Sequence, residues 1–317
     1  MSKRNFILLG LLVIVIVFLL MSRTCENMEK RIKLFSINES EIAKIEIKDP
    51  NNEITLAMID NVWMIEEPLQ TQARESQITR FFETFLALTT SSNPISQSID
   101  RQGFFQVDST GVEVTMYDRN DRQLSKVFVG RSNNNPTIAY IRSSRNNNIF
   151  QIENVQHVIN PTLNSWRENR ILNITENDIS RITFNRNNEP YILFQDSFGW
   201  NLNLNELSAP LGYENADLNR LLQAMVNLQT STYFDNVYEE YVEKLATPEL
   251  EIYLELHTGS NIHLKIAKND DNSYVLQRND EYITLYRLTN SQFNQLNIEP
   301  ENLVPAGDNL VEPEEFV

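Results

Sequence analysis

Two histidines close together are the residues of this sequence best placed to do chemistry. His257 and His263 lie in the stretch LEIYLELHTGSNIHLKI, whose alternating pattern predicts two strands of a hairpin. A loop at residues 259–261 would place His257 opposite His263, and Glu255 opposite Lys265, on the outer face. The inner face would carry Leu254, Leu256, Ile262 and Leu264. Two imidazoles can bind a transition metal, but a site needs a third ligand and Lys265 is a poor neighbour, so we predict no metal site.

The other titratable side chains also lack the partners that catalysis needs. Glu66-Glu67 and Glu239-Glu240 are adjacent pairs, and neighbouring residues on a strand point to opposite faces, so neither pair predicts a general acid with its base. His157 lies in a short predicted helix. The sequence has no phosphate-binding loop, GxSxG elbow, HExxH helix or dinucleotide-binding glycine motif. We therefore predict no catalytic, cofactor-binding or metal-binding residues, and a protein that is not an enzyme.

The composition excludes two further classes of chemistry. The chain holds 43 acidic and 27 basic residues, a formal net charge of −16, which repels the phosphate backbone of nucleic acids. The single cysteine, Cys25, excludes an internal disulfide and a cysteine-based metal site. We predict no nucleic-acid partner.

An apolar segment near the N-terminus predicts a membrane anchor. Residues 6–21, FILLGLLVIVIVFLLM, carry no charge and would span about 24 Å as a helix, slightly less than a ~30 Å hydrocarbon core. The residues that follow match a signal-cleavage site poorly, so we expect an uncleaved single-pass transmembrane helix. Acylation of Cys25 and simple cleavage are the alternatives. We expect the body to lie outside the cytoplasm, in the periplasm, although the basic residues after the segment favour the opposite orientation.

The elements that surround these residues occur twice in the chain. Residues 42–65 and 179–202 share one apolar pattern, with Trp63 matching Trp200 at an offset of 137 (200 − 63 = 137). Apolar residues at helical spacing in 78–88 recur 140 residues later. The pattern predicts a duplicated module: a hairpin whose second strand ends at the Trp, an amphipathic helix, three or four strands and a short closing helix. Because short polar turns join the strands, we predict an α+β class, a tandem duplicated module of antiparallel sheet covered by a helix and preceded by one N-terminal transmembrane helix.

The same pattern predicts the domain organisation. The segments are 1–33, the membrane anchor with its juxtamembrane residues; 34–160, the first α+β repeat; 161–174, a connector; 175–298, the second α+β repeat; and 299–317, an acidic disordered tail. The connector has no Gly/Ser stretch, so we expect a short packed connection between the repeats. We interpret Trp63 and Trp200 as core anchors, with ligand stacking as the alternative.

Several of these features together resemble a known family. They are the N-terminal anchor, the repeat opening with its Trp, the Leu- and Phe-rich helix, and the join NPTLNSWRENRI, in which Trp166-Arg167 is the most specific element. Over residues 35–298 the chain is similar to the domain-of-unknown-function 4340 family of bacterial membrane-anchored repeat proteins. Members usually carry Tyr/Phe-Gly-Leu before the mid-module strand, whereas this chain has Gly-Phe-Phe at 103–105 and no glycine at 241–245. The resemblance implies an accessory partner of an ABC-type transporter system related to gliding-motility exporters, and it transfers no catalytic residue.

These observations favour a non-enzymatic, membrane-anchored extracytoplasmic interaction protein, accessory to an ABC-type transporter system. The alternative is a ligand- or glycan-binding module with a site between the two repeats. A hydrolase would require His257 or His263 within reach of two carboxylates. The repeat alignment predicts that Phe82→Ala and its counterpart Leu222→Ala each cost roughly 2–5 kcal/mol of stability.

Overall fold

The computed structural model describes residues 31–186, 189–204, 207–212, 215–279 and 284–304. The chain divides into two compact units, Met1–Glu168 and Asn169–Val317, and each contains one large antiparallel sheet. The predicted anchor at residues 6–21 and the predicted alternatives at Cys25 lie outside the described residues. Among the residues that are described, no helix is both long enough and apolar enough to cross a membrane.

Nineteen strands are present in the described part of the chain. Those of the first unit are β1 (Arg31–Lys33), β2 (Lys44–Lys48), β3 (Glu53–Ile59), β4 (Val62–Glu67), β5 (Thr71–Gln72), β6 (Thr89–Ser91), β7 (Val112–Tyr117), β8 (Gln123–Arg131), β9 (Ile138–Ser143) and β10 (Ile149–Glu153). Those of the second unit are β11 (Ile179–Arg186), β12 (Glu189–Asp196), β13 (Gly199–Leu204), β14 (Leu207–Leu211), β15 (Tyr233–Asp235), β16 (Leu250–Leu256), β17 (Asn261–Lys268), β18 (Tyr274–Arg278) and β19 (Thr284–Leu288).

The helices in the described residues are few and short. They are α1 (Glu75–Arg80), which continues as a π-helix (Phe81–Leu86), α2 (Leu163–Trp166), α3 (Ala216–Val226), α4 (Tyr238–Ala246) and α5 (Asn290–Leu296). Single 3₁₀ turns occur at Glu39–Glu41, Ile99–Arg101, Gln156–Val158, Glu176–Asp178 and Pro300–Asn302.

The two large sheets have the same connectivity. The first has the order β10-β9-β8-β7-β2-β3-β4-β5, and the second, read from the other edge, has β15-β19-β18-β17-β16-β11-β12-β13-β14. In both, the strand that opens the repeat lies at the centre of the sheet. Ile47 of β2 pairs with Val114 of β7, and Phe184 of β11 pairs with Ile252 of β16. The second sheet differs in having one more strand, β15, at its edge.

Each sheet buries one face against a helix because its strands alternate. Ile45 and Ile47 of β2 are fully buried, while their neighbours along the strand are not. In the first unit α1 and the π-helix cover this face with Ile78, Phe81, Phe82 and Phe85, and in the second unit α3 does so with Leu218, Leu221, Leu222 and Met225. The apolar positions that the sequence placed at helical spacing are therefore core positions.

The predicted fold class is wrong. The described residues form mostly antiparallel β-sheets, three in number, with 42% of residues in strands, so a mainly β structure replaces the predicted α+β class. The physical reason is that the covering helix is small: α1 has 6 residues before its hydrogen bonding changes to that of a π-helix. Short strands with little alternation, such as β5, β6 and β15, occupy segments that carry no strand pattern in the sequence.

The predicted two-stranded hairpin that opens each repeat is also wrong, because the structure has three strands there. The second strand does not end at Trp63, because Asp60 and Asn61 both adopt positive φ, 49° and 65°, and form a tight turn. Two consecutive left-handed residues are the signature of a two-residue hairpin turn, for which Asp and Asn are suited. Trp63 therefore lies on a third strand, β4, and Trp200 lies on its equivalent, β13.

Residues between and after the repeats complete the two cores. Trp166 is fully buried in the first core, and its indole Nε1–H donates to the carbonyl of Asn160 at 2.7 Å. Leu303, which lies 137 residues later (303 − 166 = 137), is fully buried in the second core. Residues 299–304, which the sequence assigned to the acidic tail, thus begin as packed structure, and residues 305–317 lie outside the described residues.

Candidate functional site

The two histidines of the β16–β17 hairpin do not face each other. His263 pairs with Tyr253, Glu255 with Asn261, and Lys265 with Glu251. The predicted register is wrong because the turn is centred two residues earlier than expected, with Gly259 at φ 83° and the Leu256 amide donating to the Ser260 carbonyl. The described residues contain no cluster of three or more His, Cys, Asp or Glu side chains that could hold a metal ion.

Each histidine instead has a separate structural environment. The imidazole of His263 stacks on the ring of Tyr253, with centroids 4.1 Å apart, and its Nε2 lies 3.4 Å from Glu251 Oε1. His257 Nε2 lies 3.1 Å from Gln195 Oε1. The carboxylate of Glu251 thus lies beside His263, and the side-chain amide of Gln195 lies beside His257.

The remaining candidates lie on the surface. Glu66 and Glu67 are exposed at the end of β4. Glu239 and Glu240 are also exposed, but they lie in the first turn of α4 and not on a strand, a place where the helix dipole favours negative charge. His157 is exposed, and its backbone carbonyl accepts a hydrogen bond from Gln77 Nε2 at 3.1 Å.

One surface feature suited to binding is an open groove in the first unit beside Trp63. It has a volume of about 500 Å³. We name it the Trp63 groove and define it by four floor residues, Ile42, Met58, Trp63 and Phe82, and two rim residues, Glu39 and Arg119. Volumes of this size lie in the range of ligand sites. The groove combines an apolar floor with one positive and one negative side chain on its rim.

Trp63 both packs on the core and lines this groove. Its ring contacts Phe82 with centroids 5.9 Å apart, and Phe82 belongs to the buried core. The Trp63 side chain is nevertheless only half-buried, as is that of Met58. The core-anchor interpretation and the ligand-stacking interpretation of Trp63 are therefore compatible with one geometry.

A cluster of ion pairs fixes the turn that carries Arg119. Lys44 Nζ lies 2.6 Å from Asp121 Oδ1 in the β7–β8 turn, and this hydrogen bond raises the pKa of Lys44. Tyr117 ends β7 and donates its phenol proton to Glu46 Oε2 at 2.7 Å. Burial, and then this bond, raise the pKa of Tyr117 from its ordinary 10.0 to about 12, so the phenol keeps its proton as the pH rises past 10. The turn, and with it Arg119, is thus held against the sheet.

Two positions of the second repeat that correspond by sequence offset to this groove are joined to each other by a hydrogen bond. Gln195 stands where the first repeat has Met58 (195 − 58 = 137), and His257 stands where it has Arg119 (257 − 119 = 138). The contact between His257 Nε2 and Gln195 Oε1 joins these two positions. Met58 offers only a thioether sulfur, which is a weak acceptor, so the first repeat has no equivalent of this amide–imidazole bridge.

A second bridge in the second repeat has no equivalent either. Gln223 Nε2 donates to Glu176 Oε1. The corresponding residues of the first repeat are Glu83 (223 − 83 = 140) and Glu39 (176 − 39 = 137), two carboxylates that have no donor for such a bond when both are ionised. The first repeat therefore lacks the two hydrogen bonds that join the corresponding positions of the second repeat.

The pattern of apolar residues in the sequence does not identify this groove, whereas a comparison of the two repeats does point to two of its residues. Met58 and Arg119 are ordinary residues when considered one at a time. Their relevance arises from the comparison between repeats, in which an apolar and a basic residue replace a hydrogen-bonding Gln and His. The offset alignment could have identified these positions, but only the structure shows that they line one groove.

Comparison with known proteins gives one result. The family model described as a domain of unknown function (DUF4340) matches residues 63–248. No curated protein matches the chain, and no solved structure does.

Proposed function

The chain belongs to the family of the domain of unknown function DUF4340, and from this premise we propose that it is a non-enzymatic interaction protein. In this proposal residues 6–21 hold the chain at a membrane and the repeats lie outside the cytoplasm. Its partner would be an ABC-type transporter system, for which the chain is an accessory subunit. The alternative of a glycan or small-molecule site between the repeats stays a prediction.

The observation that carries the proposal is the Trp63 groove. Its floor leaves apolar side chains partly accessible to water, and desolvating such side chains is the main favourable term in protein association. Aromatic and methionine side chains, both present in the floor, are enriched at protein interfaces. An exposed apolar surface with a charged rim fits a docking protein.

The membrane part of the proposal rests on composition. Fourteen of the 16 residues at positions 6–21 are Leu, Ile, Val or Phe, and none of the 16 is charged. The transporter part rests on the family resemblance.

The proposal is tested by affinity purification of the full-length protein from gently solubilised native membranes, followed by mass spectrometry. The control is a tag carried by residues 1–30 alone, which shares the apolar segment and lacks both repeats. We expect subunits of an ABC transporter to be enriched over this control. Recovery of nothing beyond the control would contradict an accessory role.

A further inference from the structure

The charges on the rim of the Trp63 groove define the chemistry of its occupant. Glu39 and Arg119 are both exposed, and within the described residues neither makes an ion pair. An unpaired carboxylate and an unpaired guanidinium in the lining give the groove one charge of each sign. An occupant that complements both charges carries a basic and an acidic group itself.

The groove is also too open for a ligand that has to be enclosed. Small-molecule sites bury most of the ligand surface, about 70–90%. Here the rim side chains are exposed, Trp63 and Met58 are half-buried, and only Ile42 and Phe82 are buried. A surface of this kind fits one side chain of a larger partner, which supplies the remaining cover.

We propose that the Trp63 groove binds a segment of a partner protein that presents one apolar side chain between a basic and an acidic residue. The apolar side chain lies on the floor against Trp63 and Met58, the basic residue faces Glu39, and the acidic residue faces Arg119. This inference rests on the proposed interaction function and adds the recognised chemistry to it.

The proposal also assigns binding to the first repeat alone. In the second repeat the polar groups at the equivalent positions are already joined by the hydrogen bonds between His257 and Gln195 and between Gln223 and Glu176. The second repeat has a histidine, His257, at the position of Arg119. An occupant would therefore have to break two hydrogen bonds there without gaining the pair that Arg119 offers.

The experiment uses full-length protein in lipid nanodiscs and three fluorescein-labelled pentapeptide amides. Their sequences are Gly-Lys-Leu-Asp-Gly, the reversed Gly-Asp-Leu-Lys-Gly, and the neutral Gly-Asn-Leu-Asn-Gly, and binding is followed by fluorescence anisotropy. We expect one charged order to bind about two- to tenfold more tightly than the neutral peptide, and the other order to bind more weakly, because each exposed ion pair contributes modestly. The difference should shrink in about 1 M salt, where the Debye length is only about 3 Å.

Two variants locate the binding. Glu39→Lys combined with Arg119→Glu should exchange the preferred peptide order, which a merely structural change would not do. Met58→Gln should weaken all three peptides about fivefold or more by removing apolar contact, whereas Gln195→Met in the second repeat should leave them unchanged. Circular dichroism melting confirms that each variant is folded.

The outcomes separate this inference from the proposed function. Equal binding of the three peptides, no binding below millimolar concentration, or an unchanged order preference in the charge-swapped variant would each overturn the groove assignment. If transporter subunits still copurify in that case, the interaction function stands and the docking surface lies elsewhere. Ordered peptide binding without copurified transporter subunits would support the groove and overturn the transporter assignment.

Discussion

The side chain of Trp166 offers the sharpest test of how the first core is closed. It is fully buried, its ring packs edge-on against Phe81 with centroids 5.9 Å apart, and its Nε1–H donates to the Asn160 carbonyl. Truncation of a buried Trp to Ala costs about 3–5 kcal/mol. The lost aromatic contact accounts for roughly 0.5–1.5 kcal/mol of this and the unsatisfied carbonyl for roughly 1 kcal/mol or more, with lost apolar burial supplying the rest. We therefore expect Trp166→Ala to destabilise the first unit by about 4 kcal/mol.

Hydrogen–deuterium exchange with mass spectrometry measures this cost locally. A loss of about 4 kcal/mol corresponds to a roughly 1,000-fold fall in protection of the most stable amides. The fall should occur in peptides that cover β2 and β7, and peptides that cover β11 and β16 serve as an internal reference. Trp166→Phe, which keeps a ring and removes the N–H donor, should produce a smaller fall. Unchanged protection of β2 and β7, or an equal fall in β11 and β16, would refute the role of Trp166 as the closing residue of the first core.

Two further predictions follow from the second core and from the ion-pair cluster. Leu222→Ala should lower the free energy of unfolding of the second unit by roughly 2–5 kcal/mol, because Leu222 is buried with Met225 in that core. Chemical denaturation measures this change. A change below about 0.5 kcal/mol would contradict the buried placement of Leu222. Tyr117 has a folded-state pKa raised to about 12 from its ordinary 10.0, so its contribution to stability is complete below pH 10 and is lost as pH rises through 12. Between pH 10 and pH 12 the Tyr117→Phe variant should therefore lose less folding stability than the native protein. Glu46→Gln should lower the pH at which Tyr117 titrates, measured by phenolate absorbance. An unshifted titration midpoint would contradict the hydrogen bond from Tyr117 to Glu46.

The hairpin of His257 and His263 shows what a sequence pattern can and cannot determine. The core-facing side of this hairpin was predicted correctly, since Leu254 and Leu264 are fully buried. The pairing was wrong by an even number of positions, so every side chain kept its face while each changed its partner. Alternation determines the face of a strand, whereas the partner depends on the turn, which here is fixed by Gly259.

The prediction of the fold class was wrong for a related reason. Helical spacing at Ile78, Phe82 and Phe85 identified buried positions correctly, but it could not show that the helix changes to π-type hydrogen bonding at Phe81. Strands as short as β5 leave no periodic pattern in a sequence. Long alternating segments could be predicted, and the short strands that make the structure mostly β could not.

Of the features discussed, the Trp63 groove was the one that the sequence predicted least well. Its floor residue Trp63 was recognised as a repeated position, but a Trp that packs on a core and a Trp that lines a surface have the same sequence pattern. The contrast between Met58 and Gln195 is visible in the alignment of the repeats. Its meaning depends on the contact from Gln195 to His257, which joins residues 62 positions apart.

The residues that complete the two cores show where one packing unit of the chain ends and the next begins. A break after residue 160, where the strand pattern of the first repeat ends, would leave Trp166 behind and open the first core. A break between Glu168 and Asn169 leaves both hydrophobic clusters whole, because Ile171 begins the second one. The packing unit is therefore a sheet together with the buried residue that follows it, Trp166 in the first unit and Leu303 in the second. Recombination at this boundary could add or remove a repeat without requiring a new core.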